Sequence, residues 1–347
     1  MKLGWRSALG ILLSAGFLYL AFRGIPLDDV MAQLRRANLG LLVLSALAAT
    51  GIFPLRARRW RPILDPIAPD LPFGTLWRPT AIGMMINNVV PARAGELARA
   101  FALSRSTPQV PFPAAFASLA VDRLFDAVVV LLLMFAAMLD PAFPSSASVF
   151  GQSMSRIALG GVVFVVVVLL AMYAMIIFPS RVLAIFELVA RRIAPSLEEK
   201  GRVAIVALTK GLGVLRTPSR FASVFAWTVL HWLLNAFAFW IAFKAVGISA
   251  PYSAALFLQG IIAIGVAAPQ APGFFGVFEF FGKEGLGLYG VAPGAAATWA
   301  IGFHFLSFLP ITLIGTWYFL RAGLSLGEIA TAQQDGAVRA PAPPRAE

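Results

Sequence analysis

Most of this chain is divided into apolar blocks of about 20 residues, the length at which a helix crosses about 30 Å of hydrocarbon. Hydrophobic residues make up 59% of the chain and charged residues 13%, whereas soluble domains have about 45–50% and about 25%. We therefore predict an all-α polytopic membrane protein with about six spanning helices. The six long blocks are 5–22, 39–55, 112–139, 157–178, 221–246 and 296–320.

The composition excludes several classes of function. The chain has no cysteine, which excludes disulfides, thiolate catalysis and cysteine-ligated metals. Its two histidines, His231 and His304, do not have the spacing of a metal site, so we predict no metal and no cofactor. The formal net charge of +12 could suggest nucleic acid. However, Lys and Arg cluster beside apolar blocks, as orientation signals do, so we predict no nucleic-acid partner.

These basic residues predict the orientation of the chain in a cytoplasmic (inner) membrane. The segment 181–220 is rich in Lys and Arg, whereas 141–155 and 247–282 contain neither. Basic loops face the cytoplasm, so we expect both termini to be cytoplasmic. The first block is predicted to be a retained helix, because Ala21-Phe22-Arg23 is a poor signal-peptide cleavage site. Four arginines after the second block are predicted to flank it on the cytoplasmic side: Arg56, Arg58, Arg59 and Arg61.

Two further apolar segments, 76–103 and 252–289, are broken by Pro, Gly and charge. Given the predicted orientation of the flanking loops, each segment must begin and end on the same side of the membrane. Residues 76–103 are too few for two spans of about 20 residues each. We predict re-entrant hairpins, although two full crossings by 252–289 remain an alternative. The halves, about 1–140 and 156–321, then form an inverted repeat, as in many secondary transporters, unless the match arises by chance. Residues 322–347 are predicted to be a disordered cytoplasmic tail.

The first candidate site lies in the first hairpin, where polar and charged residues stand between apolar flanks. Charge in that setting costs several kcal/mol unless it is paired or hydrated. A half-helix after Pro91 would direct free N–H groups toward an anion, and Arg93 could pair with Glu96. The alternative is an interfacial loop whose charges lie in water. The candidate residues are Asn87, Asn88, Pro91, Arg93, Gly95, Glu96 and Arg99.

Two smaller groups complete the candidate substrate-binding residues. Asp122, Arg123 and Asp126 fall in the first half of a long apolar block, either as a functional site or as an ion pair near the headgroups. In the second hairpin, the glycines allow close backbone approach. Its Glu279 could bind a proton, neutralise an arginine of the first hairpin or reach the surface. The candidates there are Pro272, Gly273, Gly276 and Glu279.

Several aromatic residues near the ends of apolar blocks are predicted interfacial anchors. They are Trp5, Trp60, Trp77, Trp317 and Tyr318.

The pattern Asn87-Asn88-x-x-Pro91-x-Arg93-x-Gly95-Glu96, followed by the acidic and glycine groups above, resembles the lysylphosphatidylglycerol synthase transmembrane (flippase-like) family. The resemblance covers about residues 3–320. It implies a module like the flippase half of the multiple peptide resistance factor, which moves aminoacylated phosphatidylglycerol between leaflets. Other members stand alone, some in hopanoid or glycolipid pathways. Only 27 residues, 321–347, follow the last block, so we expect no synthase domain.

Three functions follow as hypotheses. The first is a lipid flippase or transporter that binds membrane lipids, with an anionic phospholipid as the expected partner. The second is an integral-membrane enzyme acting on a lipid or polyprenyl phosphate, which we do not favour because the sequence has no nucleophile–base pair or phosphate-binding glycine loop. The third is a non-transporting envelope assembly factor. A homo-oligomer or an envelope-pathway partner fits any of them.

Overall fold

The computed structural model describes residues 5–90, 94–144, 148–149, 152–193, 198–211, 216–267 and 271–329. These residues are almost entirely helical, which confirms the predicted all-α class. A 3-10 turn, Pro272–Phe274, precedes α12, and the two-residue strands β1 (Ser148–Val149) and β2 (Gln152–Ser153) pair antiparallel. The described helices are α1 Trp5–Phe22, α2 Leu27–Arg36, α3 Leu39–Leu64, α4 Phe73–Val89, α5 Gly95–Ser106, α6 Phe112–Ala137, α7 Met154–Ile177, α8 Pro179–Ile193, α9 Glu198–Gly211, α10 Pro218–Ala245, α11 Tyr252–Gly265, α12 Val277–Leu288 and α13 Pro293–Arg321.

Among the described helices, α3, α10 and α13 are long and apolar enough to cross a membrane. Ile11–Phe22 of α1 and Leu27–Arg36 form a pair bent by 76° that adds a fourth candidate. The 26-residue α6 is as long as α3, but Asp122, Arg123 and Asp126 interrupt its apolar sequence. The chain is therefore a multi-pass membrane protein, and the total of about six spans stays a prediction.

Helices α3 and α10 form a tight antiparallel pair. Ser45 Oγ donates a hydrogen bond to the Ala238 carbonyl over 2.8 Å, and a Cβ added at Gly51 would lie 3.6 Å from the Leu234 side chain. Small residues at the contact let two helix backbones approach closely. The shorter helices α4 and α11 pack against this pair, α4 against α3 and α11 against α10.

Helices α4 and α5 form the first hairpin. Gly83 and Gly95 let the two backbones touch, since a Cβ on Gly95 would lie 2.0 Å from the Gly83 carbonyl oxygen. The Asn87 side chain accepts a hydrogen bond of 2.9 Å from the Gly95 N–H and so closes the hairpin. The helices have 17 and 12 residues. At about 1.5 Å per residue, each is shorter than the hydrocarbon core.

Helices α11 and α12 form the second hairpin, with 14 and 12 residues. Two glycines at its tip, Gly273 and Gly276, have φ values of 67° and 88°, in the left-handed region that glycine adopts without steric cost. A Cβ on Gly276 would also lie 2.1 Å from the Ser14 carbonyl oxygen of α1. The glycines are therefore required both for the turn and for the packing of α1 against it.

The tips of both hairpins contact the middle of α13. Asn88 Nδ2 donates to Thr312 Oγ1 over 2.7 Å and to the Phe308 carbonyl over 3.4 Å. A Cβ on Gly273, in the other hairpin, would lie 2.8 Å from the Phe308 ring. Trp77, at the start of α4, bonds Tyr318 near the end of α13, whereas α12 ends just before α13 begins. The two hairpins therefore approach Phe308 from opposite ends of α13.

Part of the predicted disordered tail is ordered. Leu324 and Ile329 are buried in a hydrophobic cluster with Ile82 of α4 and Ala98 of α5, and Arg105 pairs with Glu328 at 2.9 Å. These two apolar side chains attach residues 322–329 to the first hairpin. Residues 330–347 lie outside the described residues.

Candidate functional site

The largest charged group in the described protein lies between α3, α5 and α6, and its centre is Arg59. Its two Nη atoms lie 2.6 Å from Asp122 Oδ1 and 2.6 Å from Asp126 Oδ1. The Arg59 side chain is fully buried and Asp122 is 1% exposed. Asp122 and Asp126 stand one helical turn apart on α6, so a single guanidinium from α3 reaches both carboxylates.

Further arginines and one glutamate surround this centre. Arg56 lies 3.3 Å from Asp126 and 3.9 Å from Asp122, and Arg99 of α5 lies 3.3 Å from Asp122. At the more exposed edge, Arg123 lies 3.5 Å from Asp126 and pairs with Glu96 across two helices. We call the seven residues the ion-pair network: Arg56, Arg59, Glu96, Arg99, Asp122, Arg123 and Asp126.

Aromatic side chains hold the ion-pair network in place. Trp60 is buried, donates to Ser118 Oγ over 2.8 Å and so ties α3 to α6. The Arg99 guanidinium lies 4.0 Å over the Trp60 ring, a cation–π contact that gains strength away from water. From α10, Trp232 donates to Asp126 over 3.0 Å. The prediction of Trp60 as an interfacial anchor is therefore wrong, because its ring packs under the ion-pair network.

The ion-pair network has an excess of positive charge and unused donors. It contains four arginines and three carboxylates. Among the described residues, Arg99 Nε and Nη2, Arg56 Nε and Arg59 Nε are buried without a hydrogen-bond acceptor. Buried donors without an acceptor are costly and rare in proteins. The arrangement therefore suits an anion bound beside Arg99.

The structure places the first group of candidate residues in different roles. Glu96 and Arg99 belong to the ion-pair network, together with the predicted Asp122, Arg123 and Asp126. Asn87, Asn88 and Gly95 instead build the hairpin and attach it to α13. Pro91 and Arg93 lie outside the described residues, and so does the predicted pairing of Arg93 with Glu96.

Sequence reasoning missed Arg56 and Arg59, which it assigned to a cytoplasmic flank. Both are buried, whereas Arg58 between them is exposed and Arg61 pairs with Asp70 at 2.8 Å near the surface. A spacing of three residues puts Arg56 and Arg59 on one helix face. That spacing, matched to the Asp122 and Asp126 pair, is the signal that could have identified them.

A second buried pair lies at the tip of the second hairpin. His304 Nδ1 lies 2.5 Å from Glu279 Oε1, and His304 Nε2 lies 2.7 Å from the Gly273 carbonyl oxygen. The other carboxylate oxygen, Oε2, accepts the Gly276 N–H over 2.6 Å. Glu279 is 1% exposed and His304 is 5% exposed, so Glu279 does not reach the surface. Pro272 begins the 3-10 turn that presents the Gly273 carbonyl.

The hydrogen-bond donors and acceptors around Glu279 and His304 require that the two side chains share one proton. A carbonyl oxygen only accepts, so His304 Nε2 must carry a hydrogen. The short contact between Nδ1 and Oε1 then holds a second hydrogen, on either the imidazole or the carboxyl group. The Phe275 ring stacks on His304 at 4.4 Å and limits access of water. In the sequence, His304 was weighed only as a metal ligand, since a lone histidine in an apolar helix gives no signal of its partner.

The remaining histidine has a packing role. His231 Nδ1 lies 3.3 Å from the Ile52 carbonyl oxygen of α3, and its ring meets Trp232 edge to face at 5.2 Å. The described residues contain no group of three or more His, Asp or Glu arranged to hold a metal ion.

Comparison with known proteins gives a curated relative and a family. Over 117 residues the chain is 35% identical to the glycosyltransferase AglD of Haloferax volcanii. The match covers 34% of this chain and 19% of AglD, so the chain spans about a fifth of that relative's length. The family model described as the lysylphosphatidylglycerol synthase TM region matches residues 7–315. The expected resemblance is confirmed, and this chain belongs to the lysylphosphatidylglycerol synthase transmembrane-region family.

Proposed function

We propose that this protein moves an anionic or aminoacylated phospholipid between the leaflets of the cytoplasmic membrane. The observation that carries the proposal is the ion-pair network, held between helices with more arginines than carboxylates. Burying a charge costs several kcal/mol per ion unless a partner offsets it. A lipid phosphate is a partner that the membrane itself supplies.

Arg99 is the residue best placed to bind that phosphate. It contacts Asp122 through Nη1, which leaves Nε and Nη2 buried without an acceptor among the described residues. Those two nitrogens point the same way on the guanidinium fork, which matches two oxygens of a phosphate. Asp122 and the Trp60 ring hold the fork in position. Arg56 and Arg123 add positive charge nearby.

The hairpins supply a path for the lipid headgroup. Both are too short to cross the hydrocarbon as single helices, and their tips meet beside Phe308 from opposite ends of α13. We propose that they are re-entrant and related by an inverted repeat, the arrangement that places binding sites near the bilayer midplane. A headgroup would enter beside one hairpin and leave beside the other.

The test is transport of fluorescent phosphatidylglycerol by the purified protein in liposomes. We expect Arg99→Gln to slow transport by about 10- to 100-fold, since a charge-assisted hydrogen bond contributes about 1.5–3 kcal/mol. The exposed Arg58 supplies the matched control, and Arg58→Gln should transport at the wild-type rate. Arg99→Lys keeps the positive charge that pairs with Asp122, so it tests whether slow transport by Arg99→Gln comes from loss of folding. Equal transport by wild type and Arg99→Gln would refute the proposal.

The orientation of the chain is part of the same proposal, with both termini in the cytoplasm. Because the sequence has no cysteine, a single introduced thiol reports its own side of the membrane. Ser106→Cys should react with a membrane-impermeant maleimide only from the cytoplasmic side, and Ala142→Cys only from outside. Both positions are exposed in the structure. The reverse labelling pattern would show that the chain has the opposite orientation in the membrane.

The match to a protein named as a glycosyltransferase favours a second candidate, an enzyme that transfers a sugar to a membrane lipid. In that case the ion-pair network would bind a lipid phosphate as acceptor. Purified protein that forms a glycosylated lipid from a nucleotide sugar, but moves no lipid in liposomes, would establish this function in place of transport.

A further inference from the structure

A cavity of about 580 Å³ opens between the first hairpin and the end of α13. Each neighbouring helix contributes one arginine to its lining: Arg78 from α4, Arg105 from α5 and Arg321 from α13. The hydroxyl-bearing side chains of Thr75, Ser106 and Tyr318 line it as well. We call this cavity the arginine pocket. It is separate from the ion-pair network, because Arg105 lies about 9 Å further along α5 than Arg99.

The arginine pocket has a surplus of positive charge. Arg105 pairs with Glu328 at 2.9 Å, whereas Arg78 and Arg321 form no ion pair within the described part of the chain. The Arg321 guanidinium instead lies 4.2 Å over the Trp317 ring. Two cations facing one cavity repel each other unless an anion lies between them. The pocket therefore has the composition of an anion site.

Glu328 lies beside the arginine pocket and pairs with Arg105, one of the residues that line it. Its Oε2 accepts hydrogen bonds from the Ser325 backbone N–H at 2.9 Å and from Ser325 Oγ at 3.1 Å, while Oε1 faces Arg105. The pKa of Glu328 is lowered by the backbone hydrogen bond from Ser325 and by Arg105. Glu328 is thus an ionised carboxylate on a short segment, and an incoming anion would compete with it for Arg105.

The surroundings of the arginine pocket match the headgroup layer of a membrane. Trp77 donates to the Tyr318 hydroxyl over 3.2 Å beside the pocket, and the Trp317 side chain is 55% exposed. Trp and Tyr concentrate where hydrocarbon meets the headgroups. The pocket also lies at the end of α13, a helix long enough to span. Its ligand is therefore expected from the lipid headgroups at that depth.

We propose that the arginine pocket is a loading site that binds the phosphate of an anionic phospholipid and that Glu328 competes for it. This proposal rests on the proposed transport function for the identity of the lipid. The binding chemistry is that of a phosphate diester held by several guanidinium groups. A lipid bound here would lie on the side of the membrane from which the first hairpin enters, one step before Arg99.

Binding of dioctanoyl phosphatidylglycerol to the full-length protein in detergent tests the site directly by calorimetry. We expect the double variant Arg78→Gln/Arg321→Gln to weaken binding at least about tenfold, consistent with the loss of two charge-assisted contacts. Glu328→Gln is expected to tighten binding several-fold, because Arg105 is then released. Arg58→Gln, an exposed arginine on α3, is the matched control and should bind as wild type. Arg78 and Arg321 are both exposed, and an unchanged unfolding temperature verifies that the double variant folds.

The other arms of the experiment identify the source of the phosphate. Inorganic phosphate is expected to bind at least about tenfold more weakly than the lipid, and dioctanoylglycerol, which has no phosphate, should not bind. Equal binding by wild type and the double variant, or tighter binding of inorganic phosphate than of the lipid, would overturn the proposal. Transport by the wild type and by Arg78→Gln/Arg321→Gln at saturating lipid distinguishes failure of the loading-site proposal from failure of the proposed transport function. If wild type moves lipid but the pocket binds none, only the loading site is wrong.

Discussion

Replacing Arg59 by methionine is expected to destabilise the protein by about 3–5 kcal/mol, the cost of leaving a buried ion pair without one partner. Arg59 is fully buried and lies 2.6 Å from each of Asp122 and Asp126, so its loss leaves two carboxylates close together in a dry environment. Arg56 and Arg99 are further away, at 3.3 Å from their nearest carboxylates, and can offset only part of the repulsion. Thermal unfolding in detergent measures the effect.

The control and the rescue give this prediction its specificity. Arg58→Met, on the exposed face of the same helix, is expected to change stability by less than about 0.5 kcal/mol. Arg59→Lys restores a positive charge between Asp122 and Asp126 and should recover part of the lost stability, since lysine lacks only the second branch of the guanidinium fork. An Arg59→Lys variant no more stable than Arg59→Met would show that packing of the Arg59 side chain, rather than its charge, holds these helices together.

The second large effect is expected at Glu279, where two substitutions should behave differently. Glutamine keeps both hydrogen bonds, because its oxygen can accept from the Gly276 N–H and its amide can donate to His304 Nδ1. The glutamine substitution therefore removes only the proton that Glu279 shares with His304. Leucine leaves both the Gly276 N–H and His304 without a partner, at about 1–3 kcal/mol for each unsatisfied group. We therefore expect Glu279→Leu to unfold readily and Glu279→Gln to fold normally.

Transport by Glu279→Gln separates a proton-carrying role from a structural one. The variant keeps the hydrogen bonds to the Gly276 N–H and His304, but it has no carboxyl group that can exchange a proton with His304. If the pair carries a proton during transport, Glu279→Gln is expected to transport lipid at least about tenfold more slowly than the wild type. Liposome transport by the two proteins provides the comparison. Equal transport rates would assign Glu279 a structural role alone.

The features that sequence could predict are those whose signal is local. The hairpins follow from Pro and Gly inside apolar segments, and Asp122 and Asp126 from charges one turn apart in an apolar block. Arg56 and Arg59 were missed because arginines at the end of an apolar block are usually flanking residues. Only the packing of α3 against α6, two hairpin helices further along the chain, shows that they are buried.

His304 and the arginine pocket were missed for a related reason. Glu279 and His304 belong to different helices, and the residues between them include the end of one hairpin and the start of α13. The arginine pocket brings together one residue from each of α4, α5 and α13. No periodicity or spacing links such positions, because tertiary packing alone brings them into contact. In the sequence, nothing therefore distinguishes the three pocket arginines from ordinary surface charges: Arg78, Arg105 and Arg321.

The ion-pair network also bears on how the chain is made. Ribosomes deliver Arg56 and Arg59 to the bilayer well before Asp122 and Asp126 have been synthesised, and insertion of an unpaired arginine at a helix centre costs about 2.5–3.5 kcal/mol. This cost favours a shallow position for the nascent α3, with its charged end among the headgroups, until α6 has been synthesised. Insertion of these helices becomes a joint event, and a chain truncated before α6 would expose two cations that only later segments can neutralise.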